Sequence, residues 1–309
     1  MKNKSKESKL NKENTKSKKS DFQNLKKKIS IDELNKENEL QYVIDDDLND
    51  NKKKFQSIED DDITLDSEKH KYSLKAEPNI QFKSVTEFIH LFFEEFNQKQ
   101  IAKKLIDTNP KYKGKTVDEV IKHWGKGAER GNIVHNEIEN YINDRKKIPS
   151  HEMSKVGVAW IRYKQKNGNK FISEKIIYSK ELKIAGTIDA LVYDRKNNCY
   201  HIVDWKTNKK IDKKAFNKKK GTSDSTSHLD DCKYNRYSLQ LSFYKKILED
   251  YYGLKVKSLV IIHFKENADF KNLKDNKFNF SSKNPHYEIL KIKDMSNVIE
   301  EMLKEKKLI

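Results

Sequence analysis

Near Phe171 the spacing of apolar residues changes from the three-to-four-residue interval of helices to alternation, and this limits the fold more than any other feature. Residues 171–178, 180–185, 187–193 and 200–205 read as strands joined by turn residues such as Arg195-Lys196-Asn197-Asn198. Upstream the pattern is helical. Ser84 is an N-cap with Glu87 three positions on, and Phe88, Leu91, Phe92 and Phe96 recur at helical spacing as core positions. Further helices are expected over 97–106, ended by Asn109-Pro110, and over 117–124, interrupted by Gly125-Lys126-Gly127. Two more are expected over 130–143 and over 155–166, the latter ended by Gly168. Downstream come a helix over 234–252 stopped by Gly253, strands over 256–264 and 287–292, and a closing helix over 295–307. Helices, a meander, then helix and strand again describe one α+β domain with a central mixed sheet flanked by helices.

Charge sets the boundary of that domain. Residues 1–30 hold eleven Lys against three acids, and residues 31–68 hold four Lys against fourteen acids. Neither block has the apolar content to offset the entropy of ordering, so residues 1–68 are expected to be a disordered, low-complexity tail and 69–309 the folded domain. The net charge of +17 favours an acidic partner, nucleic acid or an anionic membrane face. No run approaches the roughly 18 apolar residues of a membrane span, and the first ten residues lack the apolar stretch of a signal peptide. The first Arg is Arg130, which disfavours a mitochondrial presequence. The expectation is a soluble intracellular protein, nuclear or viral/cytoplasmic rather than mitochondrial. Two cysteines, Cys199 and Cys232, exclude a disulfide framework, a four-Cys zinc site and a four-Cys iron–sulfur cluster.

Four local patterns carry chemistry. Val203-Asp204-Trp205-Lys206-Thr207 ends an apolar strand, and side chains two apart on a strand share a face, so Asp204 and Lys206 stand side by side. Trp205 faces the other way, with its backbone carbonyl free to ligate a metal. Alone, the pattern reads more readily as a surface ion pair. Asp189 is the sole acid in the apolar run 186–192, and a carboxylate there needs a partner or a metal because burying it bare costs several kcal/mol. The turn at 195–198 makes a hairpin that brings Asp189 to Asp204, and two carboxylates with a Lys suit a hard ion, Mg²⁺ or Mn²⁺. His135 and Glu139 are i and i+4 on one helix face. Gln240 and Tyr244 share another. Gly114-Lys115-Thr116 is a loop and not the end of a P-loop, since Asn109 stands where the first Gly should be and no strand precedes it.

In this order the patterns resemble the PD-(D/E)xK nuclease superfamily, in particular its RecB-like exonuclease branch. Gly131/His135/Glu139, Gly186/Asp189, Asp204/Lys206 and Gln240/Tyr244 carry the resemblance, over about residues 84–253. Residues 229–241 look closest to viral and mitochondrial-genome-maintenance-type exonucleases. The resemblance implies a restriction-endonuclease-like fold and a Mg²⁺-dependent deoxyribonuclease, an exonuclease on single-stranded or end-bearing DNA in repair, recombination or replication. It implies that His135, Asp189, Asp204 and the Trp205 carbonyl hold one or two Mg²⁺, and that Lys206 orients or deprotonates water. It further implies that Glu139 supports the metal shell or a second ion and that Gln240 and Tyr244 position the site. Glu174, on the preceding strand, is a further candidate. Lys209 and Lys210, in the Lys-rich stretch 206–220, would contact phosphates. The alternatives are a structure-specific endonuclease and a noncatalytic nucleic-acid-binding protein on a nuclease core.

Overall fold

The computed structural model describes residues 62–266, 268 and 285–309. The expected tail falls, for residues 1–61, outside the described residues. Its last part does not remain a tail. Ile63–Asp66 form β1, an antiparallel hairpin with β2, Lys71–Leu74. Ile63 and Leu74 are buried with Ala185 of the main sheet, so ordered chain begins before the boundary that charge alone suggested.

β3, Lys83–Ser84, leads into α1, Val85–His90, and Ser84 and Glu87 close the expected capping box. α2 is Gln98–Thr108. α3 runs unbroken from Val117 to Asn143, so Gly125-Lys126-Gly127 does not interrupt it. A helical glycine costs only about 1 kcal/mol against Ala. That cost is met by a second capping box at Thr116 and Glu119 and by burial of Val120, Val134 and Ile138. α4, Glu152–Lys166, starts earlier than expected because the Glu137 carboxylate accepts the amides of Ser150 and His151, fixing the entry turn.

The meander is β4, Asn169–Ser179, β5, Ile184–Asp194, and β6, Cys199–Lys206. Residues 180–183, expected as strand, form the β4–β5 turn, with Lys183 at φ 52°. After β6 a long irregular stretch, including a short 3₁₀ turn at Phe216–Lys218, leads to α5, Lys233–Tyr252. β7, Val256–Phe264, β8, Tyr287–Lys291, and α6, Ser296–Glu305, close the fold. Among the described residues the main sheet has six strands, ordered β3-β5-β6-β7-β8, with β4 also on β5. β6 and β7 pair in parallel, while β4, β5 and β6 form the antiparallel meander. This is the mixed sheet between helices that the pattern predicts.

Alternation along β6 sorts its side chains between two cores. Tyr200 and Ile202 pack with Phe88, Phe243 and Ile247 of α1 and α5. Val203 and Trp205 pack with Val134, Ile138 and Trp160 of α3 and α4. The aromatic stretch before α2 divides: Phe88 and Phe92 are buried, whereas Leu91 and Phe96 stay exposed because the chain leaves helical geometry after His90.

Candidate active site

The β5–β6 ladder ends at Ala190 and Val203, so Asp189 and Asp204 lie immediately beyond its last pair. There a side chain replaces the missing backbone partner, and the Trp205 amide donates to Asp189 Oδ2 at 2.8 Å. On the other edge of β5 the ladder to β4 skips Glu174 and Asp189. Glu174 has φ 46°, a left-handed conformation that costs a non-glycine residue on the order of 1–3 kcal/mol. The interruption turns Glu174 toward Asp189.

His135 reaches the same place from α3. Its Nε2 lies 2.8 Å from the Trp205 carbonyl oxygen and its Nδ1 3.5 Å from Asp189 Oδ2. One donor atom each from His135, Glu174 and Asp189 lies within 4.8 Å of the others. α3 can come this close because residue 131 is glycine: a Cβ there would meet Thr207 Oγ1 at 3.3 Å. Arg130 adds a hydrogen bond of 2.9 Å to the Thr207 carbonyl.

Asp204 and Lys206 do share a face, and they form an ion pair of 2.5 Å. Asp204 is 3 % exposed. The Lys206 ammonium also sits 4.8 Å from the centre of the Tyr237 ring, a cation–π contact. Trp205 faces the opposite core, edge-on to Trp160 and stacked on Phe264. Glu139 is half-buried near this cluster but outside the trio of close donor atoms. The residue that completes the trio is Glu174, which the sequence pattern places below Asp204 and Glu139 as a candidate. A left-handed residue inside a strand leaves no mark in the sequence.

Gln240 Nε2 donates to the Tyr244 hydroxyl at 2.9 Å, and Tyr244 is buried. Its ring lies against Gly186, where a Cβ would stand 2.5 Å from Tyr244 Cε1. Lys209 and Lys210 are exposed in the loop after β6, near Glu266 and Asp212 respectively.

Crowding of acids dominates the electrostatics. Burial pushes the Glu174 carboxyl up to about 8, with Asp189, Glu139 and Asp204 adding to the rise. Burial likewise raises Asp204 to about 6, although Lys206 opposes it. Burial disfavours the Lys206 charge, yet the Asp204 and Asp189 carboxylates outweigh it and hold the ammonium above its ordinary range. Carboxylates, an imidazole and a backbone carbonyl converging in one place fit a divalent cation, which would relieve the repulsion among them.

Residues 69–307 match the family model of the PD-(D/E)XK nuclease superfamily. The chain belongs to that superfamily. It is therefore a nuclease by family, its substrate is a nucleic acid, and divalent-metal use is the family's chemistry. No curated protein matches the sequence. Among the described residues no helix is long and apolar enough to cross a membrane.

Proposed function

We propose that this nuclease is a Mg²⁺- or Mn²⁺-dependent deoxyribonuclease of the RecB-like branch, degrading single-stranded DNA from its ends. The observation that carries the metal chemistry is the meeting of His135, Glu174 and Asp189 beside the buried Asp204–Lys206 pair. His135, Asp189, Asp204 and the Trp205 carbonyl would hold the ion, with Glu174 as an added ligand and Glu139 supporting the shell. A bound divalent ion supplies stabilisation of charge on the phosphoryl oxygens and on the leaving 3′ oxygen.

The chain's own groups have narrower roles. In the metal-free chain the Asp204 and Asp189 carboxylates favour the ammonium form of Lys206. Lys206 orients the attacking water or donates a hydrogen bond to the developing oxyanion. Asp204 and Tyr237 fix where that donor points. Gln240 and Tyr244 brace the β5 backbone at Gly186. Lys209 and Lys210 add phosphate attraction without sequence readout.

The single-strand reading rests on α3. Trp124 and His135 are eleven residues apart, about three helical turns, and so share one face. Trp124 pairs with Phe96 at 6.1 Å between ring centres, and Phe96 is 60 % exposed. Exposed aromatic faces of this kind stack unpaired bases. Of the other aromatics nearby, Phe92 and Phe93 are core residues.

The test compares a labelled linear single strand with a covalently closed circle of the same sequence, each with Mg²⁺. Loss of the linear strand with the circle intact is expected. Efficient cutting of the circle would replace the end requirement with an endonuclease, and cleavage of neither would favour a noncatalytic binder.

A further inference from the structure

The hairpin that carries Asp189 and Asp204 holds a second group of ligating side chains at its other end. Asp194 closes β5 and Cys199 opens β6, directly opposite each other in register. His201 follows two residues on, so it shares the Cys199 face. One donor atom each from Asp194, Cys199 and His201 lies within 4.8 Å of the others. His201 Nε2 is 3.6 Å from Asp194 Oδ2 and 3.9 Å from Cys199 Sγ.

These spacings can be compared with a metal's own geometry. Around a tetrahedral zinc ion, with Zn–S about 2.3 Å and Zn–N and Zn–O about 2.0 Å, nitrogen and sulfur ligands stand about 3.5 Å apart and nitrogen and oxygen about 3.3 Å apart. The two pairs that include His201 would have to close by only about 0.3–0.4 Å to meet that geometry. The surroundings hold the ligands in place. His201 Nδ1 lies 2.6 Å from Ser258 Oγ on β7. An Nδ1–H donated to that hydroxyl leaves the Nε2 lone pair facing the cysteine and the aspartate. Asp194 Oδ1 accepts the amides of Lys196 and Asn197, which fixes the carboxylate. Asp194, His201 and Ser258 also line a cavity of about 220 Å³ that includes Lys164 and Asn169, with room for a water in a fourth ligand position.

We infer that Asp194, Cys199 and His201 form a second metal site, with three protein ligands and one open position, for a zinc-class divalent ion. A thiolate and an imidazole select such an ion over Mg²⁺. The Cys199 thiol loses its proton to solvent when its sulfur binds the metal. Asp194 and Asp189 are five residues apart on one strand, about 16 Å, so this ion is not the one that serves cleavage. It clips the closed end of the hairpin whose open end bears the catalytic carboxylates. The inference stands whether or not the end-directed DNase reading holds.

The experiment titrates Co²⁺ into the metal-stripped full chain and records absorption. The wild-type chain should show a sulfur-to-cobalt charge-transfer band that saturates at one equivalent and is bleached by Zn²⁺. Cys199→Ser and His201→Gln should each lose it, while Cys232→Ser and Asp189→Ala should keep it. Zn²⁺ should raise the melting midpoint of the wild-type chain by more than that of Cys199→Ser, in which only the His135–Glu174–Asp189 site is left to bind it. No thiolate band in the wild type, or a band that survives Cys199→Ser, overturns the assignment. Should Cys199→Ser fail to fold, His201→Gln decides the same question: a full-strength band in that variant also overturns it.

Discussion

Gly186→Ala should damage the site from behind, through packing alone. The added methyl would stand 2.5 Å from Tyr244 Cε1 and 3.2 Å from Val85 Cγ2, where ordinary contact begins near 3.4 Å. The Tyr244 ring would have to withdraw by about 1 Å, in a core too densely packed to yield freely. Overpacking of this kind costs about 1–3 kcal/mol, and each kcal/mol lowers the melting midpoint of a domain this size by about 2–4 °C. Because Tyr244 holds Gln240, the shift should also lower turnover while leaving DNA affinity near the wild-type value. A double-mutant cycle isolates the cause. In a Tyr244→Ala background the Gly186→Ala penalty should shrink to what Val85 imposes, giving a coupling below the full penalty of about 1–3 kcal/mol by that remainder. An equal penalty in both backgrounds, or a Gly186→Ala chain as stable as wild type, would refute the packing argument.

Other outcomes follow from the same geometry. Without divalent ions, the Glu174 contribution to stability should fall as pH rises from about 4.5 to about 8, because the folded state favours protonated Glu174 over that window. Asp204 adds to the fall below about pH 6, and His90, His201 and His263, whose burial disfavours their charged forms, oppose it. The Glu174 slope should be at most about 1.4 kcal/mol per pH unit. Thermal melts across pH should lose that slope in Glu174→Gln or on adding Mg²⁺; an unchanged slope in Glu174→Gln would place the titration elsewhere. A chain beginning at residue 69 should melt lower than one beginning at residue 62, since it discards β1 and the buried Ile63. Full burial of an isoleucine is worth about 1.5–3 kcal/mol, and equal midpoints would show that β1 adds nothing. Lys206→Met should reduce turnover far more than substrate affinity, as steady-state kinetics would report; a change confined to KM would remove Lys206 from the chemistry.

Much of the site is legible in the sequence because it obeys local periodicities. Period two puts Asp204 with Lys206 and sends Trp205 to the other core, and the turn at 195–198 closes the hairpin that joins Asp189 to Asp204. Helical spacing places Gln240 under Tyr244, and the Ser84–Glu87 box marks the start of α1. What escapes is non-local or irregular. α3 runs through Gly125 and Gly127 because burial further along outweighs two weak positions. Glu174 enters the site through a backbone irregularity that only the paired strand imposes. β1 carries an acidic end, so charge hides a strand whose Ile63 is buried against the main sheet.

The most direct measurement of the central claim is cleavage of end-labelled DNA by the purified chain, its Asp189→Ala variant and its Asp204→Asn variant, each with Mg²⁺ and with EDTA. Mg²⁺-dependent cleavage by the wild type alone is expected, with both variants still binding DNA because binding rests on many phosphate contacts. Cleavage that persists in EDTA, or wild-type turnover in either variant, would contradict the assignment of the metal-binding carboxylates.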